Sequence, residues 1–333
     1  MSRICLGCMG FGDPSAGQHS WTIGREESRE VVRSALDAGV NFFDTAVGYQ
    51  GGTSEEYLGA ALRELADRDD VVVATKFLPR TRDEIESGIG GKEHVLNSLD
   101  ASLRHLGMDH VDLLICHMWD YGTPLEDIMA GLGEAMESGR VSHIGISNVF
   151  AWQLCEANHL ADEMGIERFS SVQNHHSLVF REDEREMRPY CLHAGVSLTP
   201  YSPLASGRLC RPPGASTRRF EQDSYAHLKY DSAEAQDAEI VRRVAETAEA
   251  YSVSMTQVAL SWLLTKASSP VVGATRPEQI ADAAGAADLR LTDEEVAWLE
   301  EPYTPHRLVG VMAQNTADAA GREQVWNSIA GRR

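Results

Sequence analysis

Asp44, Tyr49, Lys76 and His117 are residue types that combine into a chemistry none performs alone. An ammonium near a phenol favours the phenolate, so Lys76 would lower the pKa of Tyr49. A carboxylate beside that ammonium, Asp44, keeps it charged and oriented. An imidazole at the same place, His117, donates a hydrogen bond to a substrate oxygen. The set is a proton donor poised against a carbonyl. Taken singly, three of them have a plainer use: a strand-end Asp caps a turn or helix, a strand-end Lys meets solvent, and a strand-end His is a satisfied polar residue. Such a set gains force only if the fold brings its members to one place.

The surrounding pattern supplies that fold. Seven short apolar runs each end in a polar or cationic residue: Val40 to Phe43 into Asp44, Val71 to Thr75 into Lys76, Val111 to Cys116 into His117. The next ones run into Ser147 and Asn148, into Gln173 and Asn174, into Tyr201, and into Thr275 and Arg276. Stretches of helical periodicity lie between them. This alternation predicts an α/β protein, a (β/α)8 TIM barrel, whose site is built from the C-terminal strand ends. Strands are expected over 4–8, 40–43, 71–75, 111–116, 141–146, 170–173, 196–199 and 271–273. Helices are expected from Arg25, over 55–66 with Ser54 as cap, and over 93–106, 125–138, 150–164, 181–194 and 235–251. Extra helices are expected over 256–264, from Pro277, and over 293–299 behind Thr292. One barrel domain, 1–333, accommodates the length, with 302–333 as a C-terminal tail.

The formal net charge of −20 repels polyanions, so neither nucleic acid nor an anionic membrane surface is expected as a partner. No apolar run approaches the roughly 20 residues that span a bilayer. The N-terminus lacks the pattern of a secretory signal, and six scattered cysteines are below disulfide-framework density, so a cytoplasmic protein is expected. Cys5 and Cys8 have C-x-x-C spacing without a second ligand pair, so we read them as core cysteines and expect no metal. His175 and His176 read as solvated loop residues. Trp21, Phe77, Trp119 and Tyr121 flank strand ends, as pocket wall or as core.

Several ordered motifs resemble those of the aldo-keto reductase superfamily: Gly39 to Tyr49, Gly145 to Asn148, Pro200 to Gly207, and Val272 to Gln279. The run Cys116 to Asp120 and the segment Glu182 to Met187 are closest to the bacterial branch related to potassium-channel β-subunits. The resemblance implies the tetrad Asp44, Tyr49, Lys76 and His117. It also implies NADPH laid across the barrel mouth. Ser147, Asn148 and Gln173 would hold the carboxamide, and Tyr201 would stack on the nicotinamide. Ser202, Leu204 and Ser206 would follow the pyrophosphate, with a cation from Arg208, Arg211, Arg218 or Arg219. Gly273, Thr275, Arg276 and Gln279 would hold the adenosine end, and Arg276 would favour NADPH over NADH because a guanidinium matches a phosphate. Asp282 and Ala283 stand where the family often has Glu and Asn, which contact adenine. The implied activity is hydride transfer to a small-molecule aldehyde or ketone, with Tyr49 as proton donor. Two alternatives are a slow redox-sensing NADP(H)-binding subunit and an enzyme for a sugar phosphate met by Arg80 and Arg82. The tail would cover the barrel mouth or join a neighbouring copy in a homo-oligomer.

Overall fold

The computed structural model describes residues 1–17, 19–212, 223–316 and 318. Eight strands form one parallel sheet: β1 (Cys5–Gly7), β2 (Phe42–Asp44), β3 (Val72–Phe77), β4 (Val111–Cys116), β5 (Val141–Ser147), β6 (Ser171–Gln173), β7 (Ser197–Leu198) and β8 (Val271–Gly273). Their order is β7-β6-β5-β4-β3-β2-β1-β8. The seam between β7 and β8 closes through Ser268 N–H to the Leu198 carbonyl, Val271 N–H to the Pro200 carbonyl (both 2.9 Å), and a bridge between Tyr201 and Val271. The barrel expected from the alternating pattern is therefore the observed fold.

Strand periodicity of two sorts the side chains. Cys5, Phe42, Ala74, Leu113, Ile115 and Val271 fill the barrel interior as one cluster. Their neighbours Leu6, Phe43, Val73, Leu114 and Val272 belong to the larger cluster between strands and helices. Continuing the inward phase by two residues gives Asp44 after Phe42, Lys76 after Ala74 and His117 after Ile115. The same alternation that packs the core therefore aims these three into one rim.

The helices that follow are α1 (Arg25–Asp37), α2 (Thr53–Leu65), α3 (Arg82–Glu86), α4 (Gly91–Leu106), α5 (Leu125–Glu137), α6 (Ala151–Met164) and α7 (Met187–Ala194). Then come α8 (Ser224–Tyr230), α9 (Glu234–Tyr251), α10 (Met255–Leu264), α11 (Pro277–Ala284) and α12 (Asp293–Glu300). Three expectations are corrected. The helix expected from 181 begins at Met187, behind a short 3-10 turn at Glu182–Glu184, because Pro189 fits only a first helical turn. Ser54 is not a cap but lies inside α2, where its hydroxyl donates to the Cys8 carbonyl and meets Thr45 Oγ1. His175 and His176 are buried, not solvated: His175 stacks on Phe180 at 4.1 Å, and His176 Nε2 meets Glu184 at 3.0 Å. Helices α3 and α8 were unforeseen, although Thr81 and Glu84 form a capping box.

Cys5 and Cys8 are both free and fully buried, and burial pushes both thiols well up, which suits core residues. Among the described residues no His/Cys/Asp/Glu group could hold a metal, and no helix is long and apolar enough to cross a membrane.

The chain beyond α12 is fastened by His306, whose Nε2 meets Asp237 at 2.8 Å and whose backbone N–H donates to Glu182. Burial alone would lower the His306 pKa, but the Asp237 carboxylate outweighs it and holds it raised. A raised folded-state pKa contributes stability that is complete below the ordinary histidine value of about 6.5 and is lost as pH climbs through the folded value. His306→Gln should therefore lower the unfolding temperature near pH 6 and have a shrinking effect at alkaline pH. A pH-independent deficit would show that the pair is not charge-linked.

Candidate active site

Lys76 is the hub of the rim. Its side chain is fully buried, and all three ammonium hydrogens have acceptors: Asp44 Oδ1 at 2.5 Å, the Thr45 carbonyl at 2.8 Å and the Tyr49 hydroxyl at 3.3 Å. The ammonium also lies 4.9 Å from the Tyr49 ring centroid. Burial alone would lower the Lys76 pKa, but the Asp44 charge and the Tyr49 hydroxyl raise it above its ordinary value. The ammonium thus stays charged although it is fully buried. The second Asp44 oxygen accepts from Gln173 Nε2 at 2.9 Å, so the carboxylate is held from both sides.

The phenol corrects an expectation. Lys76 does pull the Tyr49 pKa down, but desolvation is the larger effect, and the net shift is upward. Tyr49 is therefore a protonated phenol at neutral pH. Its oxygen accepts from Lys76, and no acceptor among the described residues takes its own proton. The His117 ring meets the Tyr49 ring edge to face at 5.7 Å. Burial, with Lys76 adding to it, drives the His117 pKa down to about 3, so the imidazole is neutral. Its Nδ1 is buried without a partner.

Ser147, Asn148, Gln173 and Tyr201 form one connected set beside this hub. Ser147 Oγ donates to the Gln173 carbonyl at 2.6 Å. Asn148 Nδ2 donates to the His117 carbonyl and to Ser147 Oγ, and the Tyr201 hydroxyl donates to Asn148 Oδ1 at 2.9 Å. Asn148 takes a left-handed φ of 57°, which asparagine tolerates better than most residues.

The segment after Tyr201 is strained. Ser202, Ala205 and Ser206 have φ of 53°, 48° and 53°, and Gly207 follows at 92°. Non-glycine residues held left-handed concentrate at ligand clamps, and turns of this kind aim backbone N–H groups at anions. Leu204 is half-buried within this turn. Of the expected cations, Arg208 pairs with Asp231 at 2.5 Å and covers the Tyr230 ring at 4.9 Å. Arg211 lies against Gly207, and Arg218 and Arg219 fall outside the described residues. Lys229, which no sequence pattern singles out, brings a buried cation to the segment: its Nζ lies 3.4 Å from Ser202 Oγ and 5.2 Å from the Tyr201 ring centroid.

At the far end, Gly273 is exposed at the tip of β8, and Gln279 Oε1 accepts from the backbone N–H groups of Thr275 and Arg276. Arg276 is exposed at the start of α11 and pairs with Glu278 at 2.8 Å. Asp282 is turned away from this end, accepting from Ser254 and Gln257, and Ala283 is fully buried, so both serve packing. Arg80 is spent inside the fold: its guanidinium donates to Thr123 Oγ1 and to the Ile89 and Gly122 carbonyls.

Of the four flanking aromatics, Phe77 is buried and turned to His94, away from the rim. Trp119 packs edge to face with Tyr121 and Trp152. The tail reaches the same place. Asn315 donates to the Asn148 carbonyl at 3.0 Å and to Gln153, and accepts from the Tyr121 hydroxyl. It thus lies against the rim as far as it is described, while Val325, Trp326 and Ile329 fall outside the described residues.

Sequence reasoning also missed Glu55. Its carboxylate is fully buried on α2, accepts from Thr75 Oγ1 at 2.5 Å and meets His105 Nδ1 at 2.9 Å. Thr75 is the outward-facing neighbour of Lys76, so Glu55 steadies the strand end that carries the hub. Its N-terminal helical position reads in sequence as a dipole partner.

The Aldo/keto reductase family model matches residues 3–303. A versiconal hemiacetal acetate reductase of Aspergillus parasiticus is 37% identical, covering 92% of this chain and 94% of its own. An aldo-keto reductase of Alternaria alternata is 34% identical, with coverage of 91% and 88%, and one of Metarhizium robertsii is 33% identical, with 93% and 90%. These relatives are fungal, and they give no support to a closer likeness to the bacterial branch related to channel β-subunits. The barrel, its rim and these matches agree: the chain belongs to the aldo/keto reductase family.

Proposed function

We propose that this chain reduces an aldehyde or ketone to the alcohol, using NADPH. The observation that carries the reading is the buried Lys76 ammonium, shared among Asp44, the Thr45 carbonyl and the Tyr49 hydroxyl. Tyr49, kept protonated by burial, is the proton source for the carbonyl oxygen. As the proton leaves, the phenolate that forms faces an ammonium already in place, which costs no reorganisation. His117 is neutral, and its unpartnered buried Nδ1 favours carrying the ring proton on Nε2, from which it donates to the same oxygen. Asp44 holds Lys76, and Gln173 in turn holds Asp44.

The donor set fits a nicotinamide dinucleotide. The carboxamides of Asn148 and Gln173 with the Ser147 hydroxyl match an amide end, and the half-buried Tyr201 ring offers a stacking face. The left-handed turn with Ser202, Leu204, Ser206 and Lys229 suits a diphosphate. Gly273, Thr275, Arg276 and Gln279 suit a phosphorylated adenosine end. Bound there, the cofactor supplies the hydride to the carbonyl carbon.

Reduction is named for all three relatives and is the direction proposed. Arg80 does not favour a sugar phosphate, since all three of its guanidinium nitrogens already donate within the fold. The test is aldehyde-dependent oxidation of NADPH. Tight binding with turnover far below about 10 per second would fit the slow sensor instead.

Arg276 carries the preference for the phosphorylated cofactor. A charge-assisted hydrogen bond is worth roughly 1.5–3 kcal/mol, so Arg276→Ala should weaken NADPH binding about 10- to 100-fold and leave NADH nearly unchanged. Equal losses for both in a fluorescence titration would remove the 2′-phosphate from its role.

A further inference from the structure

Gln50 directly follows Tyr49, and its conformation is unusual. It is buried, 3% exposed, with φ 48° and ψ 46°, a left-handed backbone that a long side chain adopts only under strain. Glycine would hold this backbone freely, and Gly51 and Gly52 do so in the same turn. What glutamine adds is its amide. Nε2 donates to the Asp13 carbonyl at 2.7 Å and to the His19 carbonyl at 3.1 Å, and Oε1 accepts from the His19 backbone N–H at 3.1 Å. Nε2 also lies 3.3 Å from Thr22 Oγ1.

Every one of these partners is in the loop that links β1 to α1. That loop is shaped around the side chain. A Cβ on Gly12 would come within 2.6 Å of Gln50 Cβ, and one on Gly17 within 2.4 Å of Gln50 Oε1. Thr53 makes a second stitch, accepting from Asp13 N–H and donating to the Gln50 carbonyl. The same loop carries Trp21, buried to 7% exposure beside Gly10 in the short 3-10 turn after β1.

We propose that Gln50 is a positioning residue for Tyr49: its left-handed turn holds the phenol over Lys76, and its amide ties that turn to the loop after β1. Loop and proton donor are then one mechanical unit. Gln50 touches no reacting atom; it acts through Tyr49. The inference rests on the reading of Tyr49 as proton donor.

The experiment compares Gln50→Gly and Gln50→Glu with wild type, using NADPH and a simple aryl aldehyde. Gln50→Gly removes the tether and the strain together. Gln50→Glu keeps the length but cannot donate to the two carbonyls. Both variants should show hydrogen exchange faster by about tenfold in residues 12–22 and in the Tyr49 turn, with the barrel strands unchanged. Turnover should fall about 10- to 100-fold, as small misplacements of a reacting group do, while the KM for NADPH stays put. The alkaline limb of the pH profile should move, because a phenol that drifts from this place changes both the burial that raises its pKa and the Lys76 charge that lowers it. Gln50→Asn, which tolerates the left-handed turn but is one methylene short, serves if the others fail to fold.

Faster exchange in the loop with wild-type turnover and pH profile would reduce Gln50 to loop packing. Wild-type behaviour of Gln50→Glu would dismiss the amide tether. Full turnover in Tyr49→Phe would sink the underlying reading instead, whatever the exchange data show.

Discussion

Tyr49→Phe should lower turnover by about 10²- to 10⁴-fold, the usual contribution of a positioned general acid. NADPH affinity should barely change. The variant removes one oxygen, and that oxygen's bond to Lys76 is the longest of the three the ammonium makes, at 3.3 Å. Asp44 and the Thr45 carbonyl still hold the ammonium, so the fold should survive with little loss of stability. Steady-state kinetics and a cofactor titration on the same preparation separate the two effects. Retained turnover would contradict the assignment, and lost cofactor binding would move Tyr49 from proton transfer to the binding surface.

Lys76→Met should abolish activity and also destabilise the barrel. It leaves the Asp44 carboxylate buried, with Gln173 Nε2 as its remaining side-chain donor. Breaking a buried ion pair from one side costs about 3–5 kcal/mol. In a chain of this size that lowers the unfolding temperature by something on the order of 5–10 °C. Asp44→Asn combined with Lys76→Met removes both charges and should recover much of the stability while staying inactive. A double variant as unstable as the single one would mean that Lys76 supports the core by packing and not by charge.

These effects are partly legible in the sequence. Strand periodicity packs Phe42, Ala74 and Ile115 inward, and adding two residues reaches Asp44, Lys76 and His117. Pattern alone thus carries both the barrel and three members of its rim. The pKa of Tyr49 was not legible in this way. Lys76 is visible in the sequence as a charge that lowers it, whereas the desolvation that outweighs Lys76 depends on what closes around the phenol in three dimensions.

Residues whose partners are remote in the chain were missed for the same reason. Glu55 looks like an acidic first turn, yet it is buried against Thr75 and His105. Lys229 looks like any helical lysine, yet it is buried beside Ser202 and Tyr201. His175 and His176 read as polar loop residues until Phe180, Tyr201, Tyr230, Glu184 and Trp262 converge on them. Helix α3 is a different kind of miss, because its capping box was written locally in Thr81 and Glu84.

The proposed reductase site joins the rim around Lys76 with Asn148, the turn after Tyr201 and Arg276. Single-turnover transfer of deuterium from C4-deuterated NADPH to an aryl aldehyde tests it most directly. The account predicts deuterium on the carbinol carbon of the product, from one face of the nicotinamide only, with the transfer slowed in Tyr49→Phe. NADPH that binds tightly but gives no deuterated alcohol with any aldehyde or ketone would contradict it.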